Sequence, residues 1–96
     1  MKSIMQDEKE CYICRTTLNL ERHHCIYGRG YRPLADKYGL TVYLCQRHHR
    51  GDISGNTYAV HHNKVFDTKL KREAQKAFIA RWPDKDFLEI FGRNYL

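Results

Sequence analysis

Histidine pairs are the feature of this sequence that most directly indicates chemistry. All six histidines of the 96-residue chain lie in three adjacent pairs, found in the segments LERHHCIYG, LCQRHHRG and AVHHN. Imidazole binds transition metals, and its unperturbed pKa of about 6.5 lets it accept a proton from water near neutral pH. The pairing indicates that some histidines complete a zinc site and that the others form a second, catalytic metal site.

Two short cysteine motifs predict the zinc site. Cys11 and Cys14 form a Cys-x2-Cys unit, and Cys45 with His48 forms a Cys-x2-His unit later in the chain. Two intervening residues let one turn supply two corners of a tetrahedron, and zinc accepts this mixture of sulfur and imidazole ligands. Four protein ligands leave no open position, so this zinc would stabilise the fold. Cys25 has no partner at this spacing and is predicted to be a small core residue.

The amino-acid composition indicates the cellular compartment of the protein and the kind of partner it binds. The chain has 17 Lys and Arg against 11 Asp and Glu, a net charge of +6, and its pI is about 9.3. This balance favours a polyanionic partner, most simply nucleic acid, although many small soluble proteins are also basic. The N-terminal MKSIMQDEKE lacks a secretory apolar run, and no segment approaches the roughly 20 apolar residues of a membrane span. We expect a cytoplasmic protein with no membrane partner, in which cysteines bind metal in preference to forming disulfides.

The elements that would position these residues follow from turn signals and periodicity. A chain of 96 residues predicts one domain. We expect a flexible leader at 1–10, a zinc and ββα core at 11–63, and C-terminal helices at 64–96. Glycine and proline positions and apolar spacing then give the elements. The predicted elements are a zinc turn with a small hairpin arm at 11–19, strands at 20–27 and 40–44, and helices at 31–38, 63–82 and 84–91.

The motifs CYIC, ERHHCIYGRG, VYLCQRHHRG and VHHN together resemble the HNH, or ββα-metal, nucleases. The likeness covers roughly residues 11–63 and is greatest to small phage-associated and Ref-like recombination members. It implies an α+β fold with a treble-clef zinc-binding core, followed here by C-terminal helices. It also implies a metal-dependent DNA endonuclease, in the cytoplasm of the host cell if the chain is phage-encoded.

The resemblance assigns roles to individual histidines. It makes His23 a ligand of the catalytic metal, His24 the general base, and His49 the second ligand. The third ligand is His61 or His62, with His61 preferred, because the loop RGDISGNTYAV separates both from the second pair. The central Asn of the HNH pattern has no match in DKYGLTVYLC, where Asp36 and Thr41 are the candidates to replace it. Adjacent strand residues also point to opposite faces, so His23 and His24 share a cavity only where the strand ends or bulges.

Phosphodiester hydrolysis explains why these residue types would be needed. The reaction requires a deprotonated water, charge neutralisation on the phosphate and help for the leaving oxygen. A histidine base contributes about 10²- to 10⁴-fold, and Mg²⁺ or another divalent ion would supply the rest. Four arginines beside the histidine pairs are predicted to contact nucleic-acid phosphates, or to be ordinary solvated side chains: Arg29, Arg32, Arg47 and Arg50.

A second function class fits the same motifs. The missing Asn is consistent with a non-catalytic zinc module that binds nucleic acid or a recombination or phage protein. The charge pattern favours DNA, single- or double-stranded, but electrostatic attraction does not distinguish DNA from RNA. The basic side chains of the long C-terminal helix are interpreted as a solvated face and are left out of the predicted site.

Overall fold

The computed structural model describes residues 1–51, 59–60 and 63–96. It contains two strands and four helices: β1 (Leu20–His24), α1 (Tyr31–Tyr38), β2 (Thr41–Cys45), α2 (Gln46–His49), α3 (Lys64–Arg81) and α4 (Phe87–Phe91). The strands pair to form a two-stranded sheet. The predicted small α+β fold is confirmed at this level. Among the residues described, no helix is both long and apolar enough to cross a membrane.

The antiparallel sheet sets the positions of both predicted metal sites. Its register pairs Leu20 with Cys45 at one end and His24 with Thr41 at the other. Strand β2 is buried along most of its length, as expected for a run rich in β-branched and aromatic residues. One end of the sheet therefore lies at a cysteine and the other at the first histidine pair.

Glycines end the elements of the β1–α1–β2 segment. Strand β1 stops at His24, three residues before the predicted end, and the chain bends toward Gly28, whose φ is 114°. Helix α1 has the predicted bounds, between Gly30 with φ 85° and Gly39 with φ 76°. Side chains other than glycine rarely adopt these left-handed backbone angles. The connection between the strands is therefore short, and it keeps α1 beside the end of β1.

Aromatic side chains from α1, α3 and α4 form a large part of the hydrophobic core. The ring centroid of Tyr38 lies 5.3 Å from that of Phe78 and 6.3 Å from that of Phe91. The Phe87 and Phe91 rings are 4.7 Å apart. Aromatic pairs at these distances stabilise a core beyond simple burial. The C-terminal helices thus pack directly on the helix that connects the two strands.

The N-terminal segment differs from the solvated leader that the sequence predicted. The backbone N–H of Ile4 donates to the Gly39 carbonyl at 2.9 Å. The N–H of Tyr43 donates to Oε1 of Gln6 at 2.8 Å, and the Ser3 hydroxyl donates to the Thr41 carbonyl. These bonds occupy polar groups that an edge strand would otherwise expose. Residues 3–6 therefore belong to the packed structure, whereas composition alone had suggested only a charged tail.

Candidate metal centre and histidine cavity

Two elements and one turn bring the predicted zinc ligands together. Cys11 and Cys14 lie in a turn closed by Cys11 N–H donating to the Thr16 carbonyl at 2.8 Å. The Tyr12 N–H donates to the Tyr43 carbonyl at 2.8 Å, which holds this turn against β2. Cys45 is the last residue of β2, and His48 follows in α2. The turn and the strand end therefore face each other, and α3 also contacts the turn through the bond from the Tyr12 hydroxyl to Glu73.

The ligand atoms of this cluster have the separations of a tetrahedral metal site. The four candidate atoms of Cys11, Cys14, Cys45 and His48 all lie within 4.8 Å of one another. Cys14 Sγ is 3.8 Å from Cys45 Sγ, and His48 Nδ1 is 3.7 Å from Cys11 Sγ and 3.3 Å from Cys45 Sγ. Zinc bond lengths of about 2.3 Å to sulfur and 2.0–2.1 Å to nitrogen imply separations of roughly 3.5 to 3.8 Å. The cluster can hold a metal ion and is consistent with a structural zinc.

Protonation within the cluster is also suited to a cation. Burial would raise the pKa of the Cys11 thiol, but hydrogen bonds from the backbone N–H groups of Cys14, Cys45 and Ile13 lower it to about 6. Burial and the neighbouring Cys11 and Cys14 sulfurs raise the pKa of Cys45 to about 11. One thiolate is therefore stabilised by the fold, and a metal ion would stabilise the others.

Cys25 lies outside this cluster, as its spacing predicted. Its side chain is 0% exposed and belongs to the hydrophobic core. Burial, together with the charges of Glu73 and Asp67, raises the pKa of its thiol far above the ordinary value. Cys25 is therefore a neutral core residue, and the prediction from the sequence is confirmed.

The first two histidine pairs contribute to a second site, here called the histidine cavity. This cavity has a volume of about 330 Å³. It is lined by His23, His24, Tyr27, Gly28, Arg32 and His49. His23 is 1% exposed, and the side chain of His24 is 16% exposed. Both can line one cavity because β1 ends at His24, where the alternation of faces along the strand no longer applies.

The rings of His23 and His49 lie edge to face beside the cavity. Their ring centroids are 5.1 Å apart and their planes are inclined by 74°. Metal–nitrogen bonds of about 2.0–2.1 Å in near-tetrahedral geometry would place two such centroids roughly 5 Å apart. Nδ1 of His49 lies 2.9 Å from Oε1 of Glu21. A carboxylate on one ring nitrogen commonly orients a metal-binding imidazole and raises its basicity.

Glu21 is itself held by Arg50. The Nε–H of Arg50 donates to Glu21 Oε1 at 2.9 Å. This guanidinium, and then His49, hold the pKa of the Glu21 carboxyl below its ordinary value. Sequence analysis missed Glu21, although the sequence contained a signal for it. Residues two apart on a strand share a face, so an acid at position 21 accompanies the buried His23.

His24 is oriented by an acid from α1. Its Nε2 lies 3.1 Å from Oδ1 of Asp36, and the same oxygen is 2.7 Å from the Arg22 guanidinium. Nδ1 of His24 is buried and has no hydrogen-bond partner among the described residues. Of the two candidates to replace the missing Asn, Asp36 contacts the imidazole, whereas Thr41 pairs with His24 through the sheet register. A bond from Nε2–H to the carboxylate leaves the Nδ1 lone pair to accept a proton.

The predicted arginines occupy different places. Arg32 lines the histidine cavity, and Arg50 is engaged by Glu21. Arg29 is exposed outside the cavity lining, and Arg47 lies in a separate groove beside Cys45. Of the four predicted arginines, Arg32 therefore lines the histidine cavity, and Arg50 supports it indirectly by holding Glu21. The predicted third ligand, His61 or His62, lies outside the residues that the structure describes.

Comparisons with known proteins found no relative. No protein-family model matches the chain, and no curated protein or solved structure matches it. The geometry of the two sites is therefore the basis for a functional proposal.

Proposed function

We propose that this protein is a metal-dependent DNA endonuclease of the HNH type, built on a treble-clef zinc scaffold. One observation carries the proposal. His23, His24 and His49 line a single cavity that is separate from the Cys11, Cys14, Cys45 and His48 cluster. A site saturated by four protein ligands suits folding, whereas a water-accessible cavity with several imidazoles suits chemistry.

His23 and His49 would hold the catalytic ion, completed by His61 or His62. Mg²⁺ or a transition metal, when bound, would neutralise charge on the phosphate and on the leaving oxygen. Glu21 fixes the orientation of the His49 ring from behind, at 2.9 Å. This support matters because an imidazole that rotates loses its alignment toward a shared ion. The zinc in the cysteine cluster would hold α2, and with it His49, against the sheet.

His24 would remove the proton from the attacking water. The Asp36 carboxylate, 3.1 Å from Nε2, would favour the tautomer with the proton on Nε2. It would also stabilise the imidazolium that forms when Nδ1 takes the proton, as the acid of a catalytic triad does. The guanidinium of Arg22, 2.7 Å from the same oxygen, holds the Asp36 carboxylate in place. Asp36 is therefore a positioning residue.

Arg32 is the best placed of the arginines to contact the scissile phosphate. It lines the cavity beside both histidines of the first pair. Within the described part of the chain it forms no ion pair, whereas Arg22 and Arg50 are each bound to a carboxylate. A guanidinium without a protein counter-ion can pair with a phosphate in bidentate geometry.

A cleavage assay on supercoiled plasmid tests this function. We expect desalted protein with one zinc per chain to be inactive, and to nick the plasmid after addition of Mg²⁺, Mn²⁺ or Ni²⁺. A structured RNA assayed in parallel determines whether the substrate class is DNA. Nicking by the zinc-loaded protein without an added ion, or no nicking with any of the three ions, would contradict the proposal.

The second candidate function is a non-catalytic zinc module that binds nucleic acid or a recombination or phage protein. The observation that favours it is the missing Asn between Asp36 and Cys45. Calorimetric titration of the zinc-loaded protein with Mn²⁺ distinguishes the two candidates. A second divalent site supports the nuclease, and its absence supports the binding module.

Asp36→Asn should reduce cleavage without disturbing the fold. An amide cannot stabilise the His24 imidazolium as a carboxylate does, so we expect kcat to fall about 10- to 100-fold, as for other residues that support a catalytic group. KM and zinc content should be unchanged. The matched control is Lys37→Gln, the exposed neighbour on α1. A change in KM alone, or equal effects of both variants, would show that Asp36 does not act through the imidazole.

A further inference from the structure

We infer that α3 carries a binding surface for the phosphate backbone of duplex DNA. The surface, here called the α3 basic face, consists of Lys64, Lys69, Arg72 and Lys76. The inference rests on the proposed function in naming DNA as the partner. The binding that it describes, however, requires neither the catalytic ion nor cleavage.

Helix geometry places the four cations on one side. At 3.6 residues per turn, their positions fall within an arc of about 140°, and they extend over roughly 18 Å of the helix axis. All four residues are exposed. Val65 and Thr68 lie in the same shallow groove as Lys64, Lys69 and Arg72. The side chains of this groove and of Lys76 include no aromatic ring.

The acids of α3 do not neutralise this face. Asp67 is 8% exposed, accepts from the Tyr27 hydroxyl at 3.0 Å and pairs with Lys71 at 2.8 Å. Glu73 accepts from the Tyr12 hydroxyl at 2.8 Å. Each carboxylate is therefore engaged by a tyrosine hydroxyl, Asp67 on the buried side of the helix and Glu73 at the edge of the α3 basic face. The segment DTKLKREAQK has mixed charge in sequence, but both of its acids are bound by residues outside α3.

The four cations have no carboxylate partner in the described part of the chain. Lys64, Lys69 and Lys76 form no ion pair there. The Nε–H of Arg72 donates to the Tyr95 carbonyl at 3.0 Å, which leaves its charge uncompensated. A row of exposed like charges that the fold does not offset is the pattern expected for a polyanion-binding surface.

The position of this face relative to the histidine cavity favours DNA as the occupant. Tyr27 lines the cavity and is bonded to Asp67 in the first turn of α3. The first turn of α3, which carries Lys64, is therefore next to the cavity. A face without aromatic rings cannot stack unpaired bases, whereas lysines and arginine suit the closely spaced phosphates of a duplex.

Fluorescence anisotropy with a labelled duplex of 20 base pairs, without added divalent metal, tests the inference. Each lost phosphate contact lowers the slope of log K against log salt by about 0.9 for duplex DNA. We expect the variant K64Q/K69Q/K76Q to lose about 2.7 from the slope and to bind about tenfold or more weakly at 0.1 M salt. Its zinc content and circular dichroism should match those of the wild type.

The control variant K2Q/K9Q/K37Q removes the same charge from exposed lysines outside α3. Equal losses in the two triple variants would overturn the inference, because net charge would then explain binding. An unchanged slope in K64Q/K69Q/K76Q would also overturn it, as would competition by polyglutamate as strong as that by DNA. If the triple variant does not fold, K69Q alone decides, with an expected slope change of about 0.9.

The same measurements separate this inference from the proposed function. Duplex binding that depends on the α3 basic face, without plasmid nicking under any metal, would retain the surface and reject the nuclease. Nicking with no effect of the α3 substitutions on binding would retain the nuclease and reject the surface.

Discussion

His24→Ala is expected to reduce plasmid nicking by about 10²- to 10⁴-fold, the contribution of a general base. Among the described residues, His24 carries the only imidazole that Asp36 contacts, at 3.1 Å, and its removal leaves His23 and His49 in the cavity. Nicking rates at saturating metal, together with zinc per chain by elemental analysis, measure the effect. Zinc content should be unchanged, since His24 lies at the end of the sheet opposite Cys45.

Chemical rescue provides the control for this variant. The deleted side chain leaves a space in a cavity that already has a volume of about 330 Å³. Added imidazole should therefore restore part of the activity of His24→Ala, and it should not accelerate the wild type. Full activity of a clean His24→Ala preparation would reject His24 as the base. A variant that has lost zinc or its folded spectrum would indicate a structural role.

Cys11→Ala is expected to abolish zinc binding and to unfold the chain. Structural zinc contributes about 10–16 kcal/mol in zinc-finger peptides, which equals or exceeds the total stability of about 5–15 kcal/mol that domains possess. Among the described residues the sheet has two strands, and without the metal the turn at residues 11–14 would keep against β2 only contacts such as the bond from the Tyr12 N–H to the Tyr43 carbonyl. Elemental analysis and thermal melting by circular dichroism measure both effects.

Cys25→Ala is the matched control for Cys11→Ala. Both cysteines are 0% exposed, but only Cys11 belongs to the metal-binding cluster. Cys25→Ala should therefore retain one zinc per chain and lose only about 1 kcal/mol, as small core truncations do. Equal melting temperatures for Cys11→Ala and the wild type, or loss of zinc from Cys25→Ala, would show that the cluster does not stabilise this fold.

Local sequence patterns predicted the parts of the molecule that depend on short-range geometry. The bounds of α1 were predicted correctly because Gly30 and Gly39 supply left-handed backbone at both ends. The cysteine cluster followed from Cys-x2-Cys and Cys-x2-His spacing, since each pair needs only one turn. The prediction of a solvated leader did not anticipate the bond between Ile4 and Gly39, because these residues are distant in sequence.

The histidine cavity was predicted in part. Sequence patterns selected His23, His24 and His49, and the structure places all three in one cavity. The sequence patterns did not identify Glu21 or its ion pair with Arg50. They also left open whether Asp36 or Thr41 replaces the missing Asn. Each of these contacts depends on how a strand and a helix are oriented toward each other, which residue types alone do not specify.

The amino-acid sequence by itself determined most of the elements, the four residues of the cysteine and histidine cluster, and the net positive charge. The elements and the cluster follow from interactions within a single turn or strand, and the net charge follows from a count of the charged residues. Only the tertiary structure decided which carboxylates support which imidazoles, and that tyrosine hydroxyls engage Asp67 and Glu73 of α3. The physical reason is that ion pairs and hydrogen bonds act over a few ångströms, and packing chooses which distant residues come that close.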